Sequence, residues 1–273
     1  MRAAVLGSPI KHSLSPLLHE SAYKILGVEG SYEAIEIHSS TLDALLDREL
    51  ATSFEEGARK GFNLTMPLKE SVFEYRRCKF DALSTRIRSA NTLLRSDSGF
   101  TATSTDATAF GRLLMNQNVE RVVIIGGGGT SRAAVAALAG RASQIDLLLR
   151  TPSRAHVIES IAPLARVNVL DMDSPLLGYD LVINTTPMGA ADHLSTRDGV
   201  GTGLLLESLY KPLPTELSFA WKELGGSVID GIDLLVEQAL DAIALMTEIS
   251  FDYGEMRIAL QAVARKEIAP QKR

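Results

Sequence analysis

The run Gly126-Gly-Gly-Gly-Thr-Ser-Arg132 holds residue types that can cradle a dinucleotide. Four β-branched residues, Val122 to Ile125, precede it and suit a fully buried strand. Ala133 to Leu138 follow as a helix of small residues that stops at Gly140. Strand, glycine turn and helix is the context in which such a run means dinucleotide binding. Gly126 allows the tight turn, and Gly128 lets the backbone approach a pyrophosphate. The helix N-terminus behind them offers unpaired N–H groups and a positive dipole end. Ser131 stands where the common fingerprint has a third glycine. Four glycines cost backbone entropy that a ligand-free turn does not require. The kind of dinucleotide turns on the end of the next strand. An acid there binds the ribose 2′-hydroxyl of NAD, whereas arginine accommodates the 2′-phosphate of NADP. Asp146 lies 20 positions after Gly126 but early in the strand expected over Gln144 to Leu149. Arg150 ends that strand and Arg154 lies a helical turn beyond. Two guanidinium groups match a phosphate in charge and in geometry, so NADP is the expected cofactor.

The elements that must position these groups divide into two sets. Before the glycine run, strands are expected at Ala3 to Leu6, Ser31 to Ile37 and Gly61 to Thr65. A hairpin pairs Asn91 to Leu94 with Phe100 to Thr103 across Ser96-Asp-Ser-Gly99. Helices are expected from Pro16 to Leu26 with Ser15 as N-cap, and from Leu42 to Leu50 capped by Ser40. Another runs from Pro67 towards Cys78, and a fourth from Ala107 to about Asn116. After Arg121 the rhythm becomes repeated βα units. The fold class is therefore α/β, with residues 1–107 as a strand-and-helix domain of their own. Residues 108–233 form a Rossmann-type, doubly wound parallel-sheet domain for the dinucleotide. Ile232 to Glu248 and Tyr253 to Lys266 are two closing helices.

The bulk composition excludes several classes. With 273 residues, 45% hydrophobic and 22% charged, the chain has the balance of a soluble globular protein. A net charge of −5 argues against a nucleic-acid surface. The one cysteine, Cys78, allows no internal disulfide, and the five histidines show no metal-ligand spacing. No apolar run approaches the roughly 18 residues of a membrane span, and the N-terminus lacks a signal-peptide pattern. A cytoplasmic protein without nucleic-acid or membrane partners is expected, as a monomer or homodimer.

The chain resembles the shikimate dehydrogenase family over nearly its full length. Its motifs occur in the family's order: Ser13-Leu-Ser15, Asn63-Leu-Thr-Met-Pro-Leu-Lys69, Ser89-Ala-Asn-Thr92, Ser104-Thr-Asp106 and the glycine run. Asn184-Thr-Thr-Pro-Met-Gly189, Tyr210-Lys-Pro212 and Leu235-Val-Glu-Gln238 complete them. The resemblance implies reversible NADP-linked reduction of 3-dehydroshikimate to shikimate, in a cleft between two α/β domains. It implies that residues 1–107 are the α/β substrate-binding and catalytic domain, with closing helices, within 234–273, that pack back on it. It implies Lys69 and Asp106 as the proton-transfer groups, since moving a hydride at an alcohol carbon requires moving a proton at its oxygen. Shikimate carries a carboxylate and three hydroxyls. Ser13 and Ser15 suit the carboxylate, while Asn63, Thr65, Asn91 and Gln238 donate and accept as ring hydroxyls demand. Tyr210 is a further pocket candidate, and His12 and His19 are assigned no part. The cofactor set is extended to Gly127, Gly129, Thr130, Thr151, Thr185, Met188 and Gly231. The chain departs from the family pattern at Ser104, usually asparagine, at Leu68, usually histidine, and at Leu149, usually asparagine. Two alternatives share the fold: a quinate/shikimate dehydrogenase that accepts NAD, and a nucleotide-binding regulator without chemistry. Retention of both Lys69 and Asp106 argues against the second.

Overall fold

The computed structural model describes residues 1–96, 98–196 and 199–269. Position 97 of the expected hairpin turn and the last four residues of the polar C-terminal end lie outside the described residues. The chain divides into two units, residues 1–105 with 236–273, and residues 106–235. The division falls two residues from each expected boundary, so Asp106 belongs to the second unit.

In the first unit, β1 (Arg2–Gly7) is buried from Ala3 onward, which is why its sequence is an unbroken run of small and apolar residues. It leads to α1 (Ser15–Leu26) and β2 (Ser31–Glu36), then α2 (Ser39–Ala51) and β3 (Gly61–Leu64). Next come α3 (Leu68–Ser71), β4 (Cys78–Phe80), α4 (Ala82–Ile87), β5 (Thr92–Ser96) and β6 (Gly99–Thr103). The sheet order is β2-β1-β3-β5-β6-β4. β1 pairs parallel with β2 and β3, and the β5–β6 hairpin joins antiparallel to β3. One sheet face buries Leu6, Leu46, Phe62, Leu68, Leu93 and Phe100, and the other buries Val5, Tyr23, Tyr32 and Met246. Each large apolar side chain so buried is worth about 1.5–3 kcal/mol.

Several expectations are corrected here. Ser15 is not the N-cap of α1, because the capping position is Leu14, which makes no side-chain bond. The Ser15 N–H instead donates to Ser13 Oγ at 3.3 Å, so the local turn is closed by the earlier serine. Ser40 lies inside α2, whose capping position is His38. The helix expected from Pro67 towards Cys78 is one short turn, α3, followed by a 3₁₀ turn over Val72–Glu74. Cys78 lies in β4, which pairs parallel with β6 from Cys78↔Phe100 to Phe80↔Ala102. Pairing with a distant strand overrides the helical preference of the intervening residues.

In the second unit, α5 (Thr105–Leu114) leads to β7 (Arg121–Ile125), α6 (Gly129–Leu138), β8 (Gln144–Leu148) and α7 (Ala155–Ile161). β9 (Arg166–Leu170), β10 (Leu181–Asn184), β11 (Leu204–Glu207), α8 (Glu216–Glu223) and β12 (Ser227–Ile229) follow. All six strands are parallel in the order β12-β11-β10-β7-β8-β9, a doubly wound Rossmann sheet. Val122 to Ile125 are completely buried, as are Val182, Leu205 and Trp221. The expected helix from Arg154 is delayed by a 3₁₀ turn over Pro152–Arg154, because a proline at its start holds the chain in a tight turn. Two helices close the chain, α9 (Gly231–Thr247) and α10 (Tyr253–Ile268), and α10 packs on α1. Among the described residues no helix is long and apolar enough to cross a membrane, and no cluster of His, Cys, Asp or Glu is placed to hold a metal ion.

His19 is completely buried in the first unit, stacked on Tyr32 with ring centroids 3.9 Å apart. Neither of its ring nitrogens has a hydrogen-bond partner among the described residues. Burial disfavours the imidazolium and pulls its pKa from the usual 6.5 down to about 3. Below pH 6.5 the unfolded chain therefore binds a proton that the folded chain refuses. Stability contributed by the neutral ring is lost as pH falls from 6.5 towards 3, at up to about 1.4 kcal/mol per pH unit, and is constant above 6.5. We predict that His19→Leu flattens this dependence. Urea midpoints of both proteins at pH 7, 5.5 and 4.5 provide the check, and parallel pH curves would remove His19 as the cause.

Candidate active site

In the first unit the site begins where parallel strands end. Gly7 closes β1, and a Cβ there would lie 2.9 Å from the Met66 carbonyl oxygen and closer still to the Thr65 side chain. Glycine is what lets the two loops touch, and the Ser8 N–H donates to Met66 O at 2.9 Å. The loop carrying Ser13 and Ser15 is thus fastened to the loop that carries Thr65 and Lys69. Ser15 is buried, and Ser13, Thr65 and Lys69 are half-buried. The Ala90 N–H donates to the Lys69 carbonyl at 3.0 Å, which draws α3 to the segment entering β5.

A buried polar cluster lies beside these loops. Asn63 and Thr92 are register partners across β3 and β5. Asn63 Nδ2 donates to Thr92 Oγ1 at 2.9 Å and to Asn91 O at 3.3 Å, and its Oδ1 accepts from the Tyr32 hydroxyl at 2.6 Å. Asn91 Nδ2 donates to Thr105 Oγ1 at 2.8 Å and more weakly to Gln238 Oε1 at 3.4 Å. Asn63, Asn91 and Gln238, all sequence-expected, are therefore brought together. Tyr32, Thr92 and Thr105 belong with them: Thr92 and Thr105 lie inside two of the motifs without having been assigned a role, and Tyr32 lies in none. Thr92 could have been found from its place opposite Asn63, whereas Tyr32 stands opposite Ala3 and reaches Asn63 from two strands away. His19 stacks behind Tyr32 and fixes the ring whose hydroxyl orients Asn63.

In the second unit the groups converge on the C-terminal ends of β7, β10 and β11, where open parallel sheets bind ligands. Gly126 has φ +108°, a conformation that a side chain resists, and its N–H donates to Leu148 O at 3.0 Å. Gly128 is the extended N-cap of α6, so Gly129 and Thr130 form the helix's first turn. A Cβ at Gly127 would meet Leu149 at 2.9 Å and Arg154 at 3.3 Å. Thr185 is pinned to this turn: its N–H and its hydroxyl both donate to Ile125 O, and its Oγ1 lies 2.6 Å from Ser131 Oγ. Ser131, the departure from the third glycine, has this second use, which spacing alone did not reveal.

Asp146 is buried at 4% exposure and accepts from Gln144 Nε2, Tyr179 OH and Asn168 Nδ2 at 2.6–2.7 Å. Its carboxylate is occupied within the sheet. Arg150, Thr151 and Arg154 are exposed past the end of β8, and Arg154 Nη1 donates to Gly127 O at 3.3 Å. Met188 is 70% exposed in the loop after β10. Tyr210 is half-buried, and a Cβ at Gly231 would lie 2.4 Å from the Leu209 carbonyl, so Gly231 belongs against the Tyr210 segment. Asp106 is buried in the first turn of α5, directly after Thr105. Glu207, at the end of β11, is completely buried. Burial pushes its carboxyl up from the usual range, while hydrogen bonds from Leu209, Asn184 and Thr215 pull the other way. The residues around the glycine turn fit a dinucleotide with a 2′-phosphate: the turn is glycine by necessity, the nearest acid is occupied, and two arginines stand beyond it.

Residues 5–93 match the family model of the shikimate dehydrogenase substrate binding domain. The chain is similar to the NADP(+) shikimate dehydrogenase of Natronomonas pharaonis, 32% identical over 265 residues, covering 94% of this chain and 97% of that one. That of Methanococcoides burtonii is 32% identical over 253 residues, covering 89% and 91%. The crystal structure of Mycobacterium tuberculosis shikimate dehydrogenase superposes with a TM-score of 0.83 at 29% identity, covering 96% of this chain and 99% of that one. The Thermus thermophilus enzyme in complex with NADP(H) and shikimate gives 0.79 at 29% identity, with the same coverage.

Gly126→Ala should lower stability by roughly 1–3 kcal/mol, the cost of a strained backbone position. It should also weaken NADPH binding, because a Cβ would lie 2.6 Å from Thr185 Oγ1 and force the turn or the threonine aside. Urea denaturation and NADPH fluorescence titration measure the two effects. An unchanged midpoint would show that the turn does not depend on glycine.

Proposed function

The chain belongs to the shikimate dehydrogenase family, and we propose from that premise how its residues carry the reversible NADP-linked reduction of 3-dehydroshikimate to shikimate. The observation that carries this reading is the joining of a full-length likeness to a complete set of polar and titratable groups at the ends of the strands. NADPH, when bound, supplies the hydride that converts the ketone carbon to an alcohol carbon. Lys69 gives its ammonium proton to the ketone oxygen as that oxygen gains charge, and in the oxidising direction takes it back. Asp106, buried in the first turn of α5, is the second residue assigned to this proton transfer. Ser13 and Ser15 hold the substrate carboxylate through their hydroxyl groups. Thr65, Asn91 and Gln238 face ring hydroxyls, and Asn63 keeps that cluster in register. Tyr210 is a further substrate-binding residue.

The glycine turn Gly126 to Gly129 and Thr130 receive the pyrophosphate, Thr185, Met188 and Gly231 the nicotinamide end, and Arg150, Thr151 and Arg154 the 2′-phosphate. A carboxylate held by three neutral donors, as Asp146 is, leaves the adenosine ribose to the arginines. We place the enzyme in the cytoplasm, among biosynthetic enzymes. The test of the reading is a spectrophotometric assay of shikimate and quinate, each with NADP and NAD. Fast turnover is expected with shikimate and NADP, and faster turnover of quinate with NAD would displace the reading.

Lys69→Ala should cut turnover by roughly 10²–10⁴-fold, the range for a positioned proton-transfer group, and leave NADPH affinity unchanged. Near-normal turnover in this variant would remove Lys69 from the chemistry. Changing Arg150 and Arg154 together to Ala should raise the Michaelis constant for NADP strongly and that for NAD little, since NAD has no phosphate for them to hold. Equal loss of both cofactors would make the arginines structural and move the discrimination elsewhere.

A further inference from the structure

We propose that Glu207 is a positioning residue of the reaction, holding the loop after β10 and the segment after β11 in the places that present the nicotinamide half of the cofactor for hydride transfer. The proposal rests on the shikimate dehydrogenase reading above. Asn184 and Glu207 are register partners at the ends of the parallel strands β10 and β11. Both carboxylate oxygens accept from Asn184 Nδ2, at 3.1 and 3.0 Å. Oε1 also accepts from the Leu209 N–H at 3.0 Å, and Oε2 from the Thr215 hydroxyl at 3.0 Å. With its amide hydrogens committed to Glu207, Asn184 turns its Oδ1 towards the next loop. That oxygen accepts from the Thr186 N–H at 3.1 Å and from the Thr186 hydroxyl at 2.7 Å. A chain of hydrogen bonds thus runs Thr215–Glu207–Asn184–Thr186.

One end of this chain fixes the residue next to Thr185, which is itself bonded to the glycine turn. The other end fixes the segment of Leu209 and Tyr210 and the N-cap of α8, because Thr215 Oγ1 also accepts from the Ser218 N–H at 3.1 Å. β10 to β12 form the second mononucleotide-binding half of a doubly wound sheet, the half that takes the nicotinamide end, while β7 to β9 take the adenosine end. A carboxylate suits this place because all its partners are donors. Satisfied by neutral groups alone, it spends its charge on orientation rather than on an ion pair.

Glu207→Gln keeps the shape but turns one acceptor into a donor, so at least one partner must move. Misplacement of about 1 Å at a reacting centre can cost on the order of 10²-fold in rate. The expected result is a loss of roughly 10- to 100-fold in kcat for shikimate oxidation. It comes with a larger primary deuterium isotope effect on hydride transfer and weaker NADPH binding. Affinity for adenosine 2′,5′-bisphosphate, which probes the adenosine half alone, stays unchanged. An unchanged kcat and NADPH affinity would overturn the proposal. So would an equal weakening of both ligands, which marks general loosening of the fold. If Glu207→Gln does not fold, Thr186→Val cuts the last link of the same chain and is expected to give the same split between the ligands; no split overturns the proposal. An unmutated chain that fails to oxidise shikimate with NADP would instead overturn the substrate assignment, and the binding split would still decide the role of Glu207.

Discussion

The adjacency of β7 and β10 is the constraint on which the second unit depends. These parallel strands are neighbours in the sheet, yet β8 and β9 intervene between them in the chain. Their connections therefore leave in opposite directions, which makes the carboxyl ends of the two strands the switch point at which such sheets bind ligands. Gly126 and Thr185 stand one on each side of it. The positive φ of Gly126 turns the chain sharply at the end of β7, and the Thr185 hydroxyl reaches back to the Ile125 carbonyl. If either contact failed, the first turn of α6 would no longer point its N–H groups at the same place as the loop after β10.

The order of βα units was legible because it rests on local patterns. Four β-branched residues before a glycine run specify strand, turn and helix without reference to the rest of the chain. The alternation at Ser31–Glu36 and the glycine that ends α1 were equally local. The elements that were missed depend on distant partners. β4 is three residues long, lies at a sheet edge and exists because β6 offers it hydrogen bonds. Nothing in Cys78-Lys79-Phe80 requires a strand. The serine caps failed because the helices begin earlier than the capping pattern indicates, α1 at Ser15 and α2 at Ser39, so that Leu14 and His38 hold the capping positions.

Within the site the same division holds. Glycines, arginines and the lysine could be proposed from the sequence because each residue type has a narrow chemical use. The supporting cluster was not. Tyr32 bonds Asn63 from 31 positions away, and Glu207 bonds Asn184 from 23. Glu207 and Asn184 are partners on neighbouring strands, and Tyr32 reaches Asn63 across the intervening β1, so a sequence shows them only once the sheet order is known.

Asp146 and Glu207 show how one unit gives two buried acids opposite uses. Each sits on a strand of the same sheet, and each is satisfied by neutral donors rather than by a cation. Position along the strand separates them. Asp146 lies mid-strand, where its partners Gln144, Asn168 and Tyr179 belong to the sheet and to the segment leading into β10, so its charge is spent on packing neighbouring strands. Glu207 lies at the strand's carboxyl end, where its partners belong to loops. A buried carboxylate is costly unless all its lone pairs are used, and that cost is what makes each arrangement discriminating. At mid-strand it selects one register of the sheet. At the strand end it selects one conformation of the loops that hold Thr186 and Leu209.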